Sequence, residues 1–141
     1  ISTLAKICNF IGIVNIKNQI NISNDLIKKF EIVIPNIKSK IQTLSGGNQQ
    51  KALIARIVNI NPNIIIFDEP TKGVDVGSIE SIHNIIRELV KQGKSIIVIS
   101  SYLPEILSIS SRIIVMKNGS IVENVSTKDT SQEKIMASAL N

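Results

Sequence analysis

The chain has 141 residues, a formal net charge of +5, 43% hydrophobic residues and only 3% aromatic residues. This length suits one small domain, and no apolar run approaches the ~18 residues that a membrane span requires. The basic residues are scattered and the aromatic residues are too few for a base-stacking surface, so the composition argues against nucleic acid as a partner.

The amino-terminal end gives two further expectations. Cys8 is the single cysteine, which excludes an internal disulfide, and we expect a structural thiol there instead of a reactive or metal-binding one. The first residue is Ile1 and not methionine, and no signal peptide is visible. The isoleucine in place of methionine indicates a fragment.

The segment before residue 44 carries weak signals. Asn15–Asn24 is rich in asparagine and isoleucine and is predicted to be a loop. Asp25–Phe30 is predicted to form a short helix whose cap lies at residues 23–25. An extended stretch is expected after it, because Pro35 disfavours helical backbone at Ile34.

A helix is predicted from Ser45 to Ile60. Ser45 is a suitable N-cap, and Gly46 and Gly47 leave room for another chain or a ligand to approach the backbone. A helix start also offers free N–H groups and a partial positive charge, which favour a phosphate. Without other motifs, however, Ser-Gly-Gly more often marks an ordinary capped helix. Apolar residues dominate Ala52–Ile60, so we expect most of the helix surface to be buried.

A short apolar strand, Ile64–Phe67, follows the turn at residues 61–63 and leads into two acids. An all-apolar run of this length predicts a strand buried on both faces. Asp68 and Glu69 then lie at its carboxyl end, where open α/β sheets bind ligands. Magnesium with a nucleotide phosphate would balance the two charges, with Asp68 on the metal and Glu69 as the base for an attacking water. An isolated Asp-Glu pair would instead favour a solvated strand-to-helix turn.

The rest of the chain continues the α/β pattern. Val76–Gln92 has the apolar spacing of an amphipathic helix, with Gly93 at its end. His83 lies beside the apolar stripe and is expected to be a surface or boundary residue. A second apolar strand at Ser95–Ser100 makes the strand–helix–strand unit parallel and right-handed. A short helix over Leu103–Ser108 follows, with Pro104 in its first turn.

The carboxyl-terminal residues predict a hairpin and a final helix. Asn118-Gly119 is a strong signal for a tight turn between strands at residues 113–117 and 120–125. Thr130 and Glu133 are spaced as a capping box for a helix that ends near Leu140.

The order of these motifs resembles the ATP-binding cassette (ABC) family over roughly residues 30–140. Leu44–Gln50 is similar to its signature motif, Ile64–Glu69 to its Walker B strand with the catalytic glutamate, and Gly73–Asp75 to its D-loop. Three further stretches look like the second cassette of the ribose, galactose and xylose importers, in which two cassettes are fused in one chain: residues 48–51, 71–77 and 100–105.

The resemblance implies a fold and a set of site residues. The fold would be α/β, a partial P-loop NTPase with a parallel sheet, flanking helices and a carboxyl-terminal β-hairpin plus helix. Residues 1–43 would belong to a small helical subdomain and its connection, and residues 44–141 to the carboxyl-terminal part of the nucleotide-binding domain. The implied ligands are ATP and Mg²⁺. The implied residues are Glu69 for catalysis, Asp68 for the metal, and Ser45, Gly46, Gly47, Gln49, Asp75 and Ser101 for the nucleotide.

The resemblance also implies partners. The other cassette of the same full-length chain would pair with this one, transmembrane permease subunits would bind the pair, and a periplasmic or extracellular sugar-binding protein would act indirectly. The location would be the cytoplasmic face of the cell membrane. The implied function is to couple ATP binding and hydrolysis to monosaccharide import.

Two departures limit this function. The sequence contains no Gly-x-x-x-x-Gly-Lys-Ser/Thr phosphate loop, so we expect this chain alone to be inactive and poorly soluble. Ser101 stands where most cassettes have a histidine near the γ-phosphate, and a serine hydroxyl cannot carry a positive charge. A non-transport ABC ATPase and a non-enzymatic gene remnant therefore stay open as alternatives.

Overall fold

The computed structural model describes residues 14–140, so the expectations for Ile1 and Cys8 lie outside the described residues. The described part alternates helices and strands in this order: α1 (Ile16–Lys29), α2 (Gly46–Val58), β1 (Ile64–Asp68), α3 (Val76–Lys91), β2 (Ser95–Ile99), α4 (Leu103–Ile109), β3 (Arg112–Lys117), β4 (Ser120–Ser126) and α5 (Gln132–Leu140). Two 3-10 turns, Ile41–Thr43 and Thr127–Asp129, complete it. Within residues 14–140, no helix combines the length and apolar character needed to cross a membrane.

The chain forms two compact units. Among the described residues, the first unit comprises residues 14–65 and Thr71–Ser95, and the second comprises Ile66–Pro70 and residues 96–140. The predicted α/β class with a parallel sheet and a carboxyl-terminal hairpin plus helix is confirmed.

Helix α1 corrects the prediction for residues 15–30. The segment predicted as a loop is helical from Ile16, and Asn15 is its N-cap, since its Oδ1 accepts from the N–H of Asn18 at 3.0 Å. The expected cap at residues 23–25 is instead helix interior. The many short polar side chains obscured the helical pattern in the sequence, and the apolar residues Ile22, Leu26 and Ile27 are only half-buried. The local cap and this partly buried face are sufficient to form the helix.

The core of the first unit lies where α2 packs against α3. Ile54 and Ala55 of α2 and Ile82, Ile86 and Leu89 of α3 are buried. The signature helix begins where predicted, at the Ser45 cap. The expected burial of most of α2 is wrong, since only Gly47, Ile54 and Ala55 are buried on it and Leu53 is 45% exposed.

Strands β1 and β2 pair in a two-stranded sheet. Their exposure alternates: Ile65 and Phe67 are buried, whereas Ile64 and Ile66 are 63% and 59% exposed. Ile97 and Ile99 of β2 are each 51% exposed. The expectation of burial on both faces is therefore wrong for these residues, because the described part of the chain covers only one face of β1.

His83 is buried at 5% exposure, so the expected surface position is wrong, although the residue does lie beside the apolar stripe of α3. It is one helical turn from Glu80, and its Nδ1 lies 3.8 Å from Glu80 Oε2. Arg87 Nη1 donates to Glu80 Oε1 at 2.7 Å. The neighbouring Ile82 is fully buried, so His83 shares the buried side of the helix.

The second unit is built on the predicted hairpin. β3 and β4 are antiparallel from Lys117↔Ser120 to Arg112↔Ser126, with an irregularity between Val115 and Met116. Asn118 and Gly119 have φ of 50° and 77°, as the tight turn requires. Ile113, Val115 and Ile135 form a core cluster.

The final helix corrects one cap. Ser131, and not Thr130, precedes α5, and its Oγ accepts from the N–H of Lys134 at 3.4 Å. Thr130 Oγ1 is a buried hydroxyl. The predicted N-cap was therefore one residue too early in the sequence, because Thr130 and Ser131 are both suitable cap residues.

Candidate functional site

Ser45 caps the helix that carries the two glycines. Its backbone is extended, and its Oγ accepts from the N–H of Asn48 at 3.4 Å and from Asn48 Nδ2 at 3.0 Å. Ser45 and Gly46 are exposed at the positive end of a 13-residue helix. The turn therefore presents a hydroxyl and free backbone N–H groups to solvent, which is a favourable environment for an anion.

The two glycines face the segment that begins α3. A Cβ on Gly47 would lie 2.3 Å from Ser78 Oγ and 2.4 Å from Ser78 Cβ. A Cβ on Gly46 would lie 2.8 Å from the carbonyl oxygen of Gly73. Both positions thus require glycine for packing inside the first unit, in addition to any ligand. The sequence predicted close approach of a chain or ligand, and here the approaching chain is residues 73–78.

The side chain of Asp75 stabilises the segment at residues 73–78. It is the N-cap of α3, its Oδ1 accepts from the N–H of Ser78 at 3.0 Å, and its Oδ2 accepts from Ser78 Oγ at 2.9 Å. Gly73 before it has a left-handed backbone, with φ of 74°. The predicted nucleotide residue Asp75 therefore also has a structural role beside the glycines.

Gln49 points back toward its own turn. Its Nε2 donates to the carbonyl oxygen of Leu44 at 2.8 Å, and the side chain is half-buried. This contact stabilises the entry to α2, and nucleotide binding by Gln49 stays a prediction.

The two acids end strand β1 in different environments. Asp68 is the last residue of β1 and is exposed, whereas Glu69 is half-buried. Glu69 has a left-handed backbone with φ of 49°, and its N–H donates to the carbonyl oxygen of Ile99 at 2.8 Å. Its Oε1 accepts from the backbone N–H of Ser101 at 2.9 Å. The structure thus brings Glu69 and Ser101 together through the main chain of Ser101.

A metal would find few protein ligands here. Within the described part of the chain, no group of three or more His, Cys, Asp or Glu side chains is arranged to hold a metal ion. The exposed Asp68 carboxylate beside Glu69 suits Mg²⁺ only if other oxygens, such as those of phosphates, complete the coordination.

The predicted residues fall into two groups, one in each unit. Ser45, Gly46, Gly47, Gln49 and Asp75 lie in the first unit, and Asp68, Glu69 and Ser101 lie in the second. Their assigned roles stay predictions. Sequence reasoning missed Asn48, which contacts the Ser45 hydroxyl through its backbone N–H and through its side-chain amide nitrogen. The available signal was an amide at the N3 position of a serine-capped helix, where a capping box places a polar side chain.

Part of the chain matches the model of a known protein family. Residues 13–72 match the family model described as "ABC transporter". That stretch includes the Ser45 turn and the acids at the end of β1.

Two curated relatives cover nearly the whole chain. The ribose import ATP-binding protein RbsA of Caldanaerobacter subterraneus is 46% identical over 99% of the chain. The xylose import ATP-binding protein XylG of Photobacterium profundum is 43% identical over 99% of it. The chain spans about 28% of the length of each of these relatives.

The fold matches solved cassettes. The dimeric, post-hydrolysis structure of the ATP-binding cassette MJ0796 bound to ADP and Pi superposes with a TM-score of 0.69 at 27% identity. The match covers 82% of this chain and 49% of that one.

Proposed function

Since the chain is part of an ABC transporter cassette, we propose that it contributes two half-sites to an ATPase that drives monosaccharide import. The first is the Ser45 turn, which closes over ATP bound by the phosphate loop of another cassette. The second is the Asp68–Glu69 pair at the end of β1, which serves ATP in its own cassette. The exposed Ser45 hydroxyl at the start of α2 is the observation that carries the proposal.

The donors of the Ser45 turn are suited to cover a bound phosphate and not to hold one on their own. Its donors are one hydroxyl and the first N–H groups of a helix, which stabilise negative charge but do not enclose it. The packing of Gly46 and Gly47 on residues 73–78 holds the turn rigidly. A rigid, exposed donor surface is suited to close on phosphates that a different loop already holds.

The acid pair has the chemistry of a base and a metal ligand. Mg²⁺ would neutralise charge on the phosphate oxygens, and the exposed Asp68 is suited to hold it with those oxygens as its other ligands. Glu69 would accept a proton from the attacking water. The Ser101 N–H at Glu69 Oε1 orients that carboxylate and leaves its second oxygen for the water.

Sugar import is proposed from the relatives. Two curated proteins that are similar to this chain in sequence are named for ribose and xylose import. We accordingly propose ATP and Mg²⁺ as ligands, and a second cassette and transmembrane permease subunits as direct partners. A periplasmic or extracellular sugar-binding protein would be an indirect partner, and the location would be the cytoplasmic face of the membrane.

Nucleotide binding tests the proposal. Labelled ATP with Mg²⁺ is offered to this chain alone and together with a cassette that carries a phosphate loop, such as that of the ribose import relative. We expect binding by the pair to exceed the sum of the separate proteins, and S45A to weaken that extra binding about tenfold. S131A is the matched control, since Ser131 caps α5 in the second unit.

Two results would contradict the proposal. If the pair bound no more ATP than the phosphate-loop cassette alone, the chain would not act as a lid, and a gene remnant would be the better description. If S131A weakened the extra ATP binding as much as S45A, loss of a helix cap and not loss of a phosphate contact would explain the effect.

A further inference from the structure

We propose that Asn48 is a positioning residue that makes the Ser45 hydroxyl a hydrogen-bond donor toward the nucleotide phosphate. This inference rests on the proposed role of the Ser45 turn. It concerns a side chain that sequence reasoning did not place in the site.

The orientation of the Asn48 amide follows from its neighbours. The backbone N–H of Val33 lies 2.8 Å from Asn48 Oδ1. A backbone N–H can only donate, so the atom facing it must be the amide oxygen. Asn48 Nδ2 is then the atom that faces Ser45 Oγ at 3.0 Å, and it can only donate.

This orientation fixes the chemistry of the serine. A hydroxyl oxygen has two lone pairs and one proton. Asn48 donates to that oxygen twice, from its backbone N–H and from Nδ2. With both lone pairs directed at Asn48, the Ser45 proton points away from α2. The exposed hydroxyl is therefore a donor, as a phosphate oxygen requires.

A second contact holds the segment that contains Val33 against α2. Lys51 Nζ donates to the carbonyl oxygen of Glu31 at 3.3 Å, one turn of α2 after Asn48. Glu31 has a left-handed backbone, with φ of 49°. Residues 31–33 are thus held to the start of α2 at two points, and this anchoring keeps the Asn48 oxygen occupied by Val33 and its nitrogen directed at Ser45.

A double-mutant cycle tests the proposal in the assembly of this chain with its phosphate-loop cassette. N48L removes both amide contacts without adding charge, and we expect it to weaken the extra ATP binding about tenfold, the effect of one hydrogen bond to a charged group. In the S45A background, N48L should weaken binding less than twofold, because Asn48 acts through the serine.

N48D is the second variant. It keeps an oxygen for the Val33 N–H but places a carboxylate oxygen at Ser45, which would turn the serine proton inward. We expect N48D to weaken binding more than Q50E, which adds the same charge two residues along the helix. If N48L failed to fold, the comparison of N48D with Q50E would decide the question.

The outcomes separate the two proposals. Equal effects of N48L with and without Ser45 would overturn the positioning role and leave the proposed function intact. The same holds if N48D and Q50E behave alike. If the unaltered assembly shows no extra ATP binding, the proposed function fails and this inference fails with it.

Discussion

The backbone N–H of Ser101 donates to Glu69 Oε1 at 2.9 Å. Glu69 in turn donates its own N–H to the carbonyl oxygen of Ile99. The candidate base is therefore positioned by main-chain groups at both ends, and the side chain at position 101 is not needed to hold it.

Position 101 gives the first prediction. S101A keeps the backbone N–H, so in a full-length cassette that joins this chain to a phosphate loop of its own we expect ATP turnover to change less than twofold. S101P removes that N–H, and the Glu69 carboxylate loses a donor, so turnover should fall about tenfold. Steady-state phosphate release measures both. A large loss in S101A would show that the hydroxyl, and not the main chain, serves the reaction, and a thermal melt of S101P checks that its fold is retained.

Glu69 gives the second prediction. E69Q keeps an oxygen for the Ser101 N–H and leaves the fold unchanged, but the amide cannot accept a proton. Loss of a general base typically costs about 10²–10⁴-fold in rate, so in the same full-length cassette turnover at this site should fall by that factor while ATP binding persists. Single-turnover kinetics resolve this site from the other. Unchanged turnover would mean that the site holding Glu69 does not hydrolyse ATP.

Gly47 gives a prediction about stability. G47A would place a methyl group within 2.4 Å of Ser78 Cβ, so we expect a loss of about 1–3 kcal/mol in the free energy of unfolding. G47A/S78G should recover much of it, because the clashing atoms are gone. G77A is the matched control, since its methyl would meet only Asp75 Oδ1 at 3.4 Å. Chemical denaturation measures all four proteins, and an equal loss in G77A would contradict the packing explanation.

Glu80 gives a prediction about pH. The hydrogen bond from Arg87 holds the pKa of the Glu80 carboxyl below its ordinary value of 4.5, and the charges of Arg87 and His83 lower it further. A depressed folded pKa stabilises the fold above the unfolded value, and this contribution is lost as the pH falls through the folded pKa. NMR titration should find the lowered pKa, and R87M should return it toward 4.5. An unchanged Glu80 pKa in R87M would remove Arg87 as the cause.

The sequence predicted the elements with strong local chemistry. Ser45 begins α2 as expected, and Asn118-Gly119 turns the hairpin. These features depend on a side chain and its own neighbouring backbone, so a short stretch of sequence contains the whole interaction.

The failures depend on contacts from elsewhere in the chain. His83 is buried because packing of α3 extends past its apolar stripe. Ile66 is 59% exposed because no described layer covers that face of β1, although its apolar neighbours predicted burial. Asn48 was missed because its role requires Val33, fifteen residues away. The apolar spacing within one segment does not reveal a contact with a residue elsewhere in the chain.

The left-handed backbone of Glu69 has a consequence for how this sequence changes under mutation. A non-glycine residue in that conformation loses roughly 1–2 kcal/mol relative to glycine. Glycine at position 69 would relieve that strain, but it would also remove the carboxylate oxygen that accepts from the Ser101 N–H. The proposed role as a general base would favour glutamate at this position, whereas the backbone conformation alone would favour glycine.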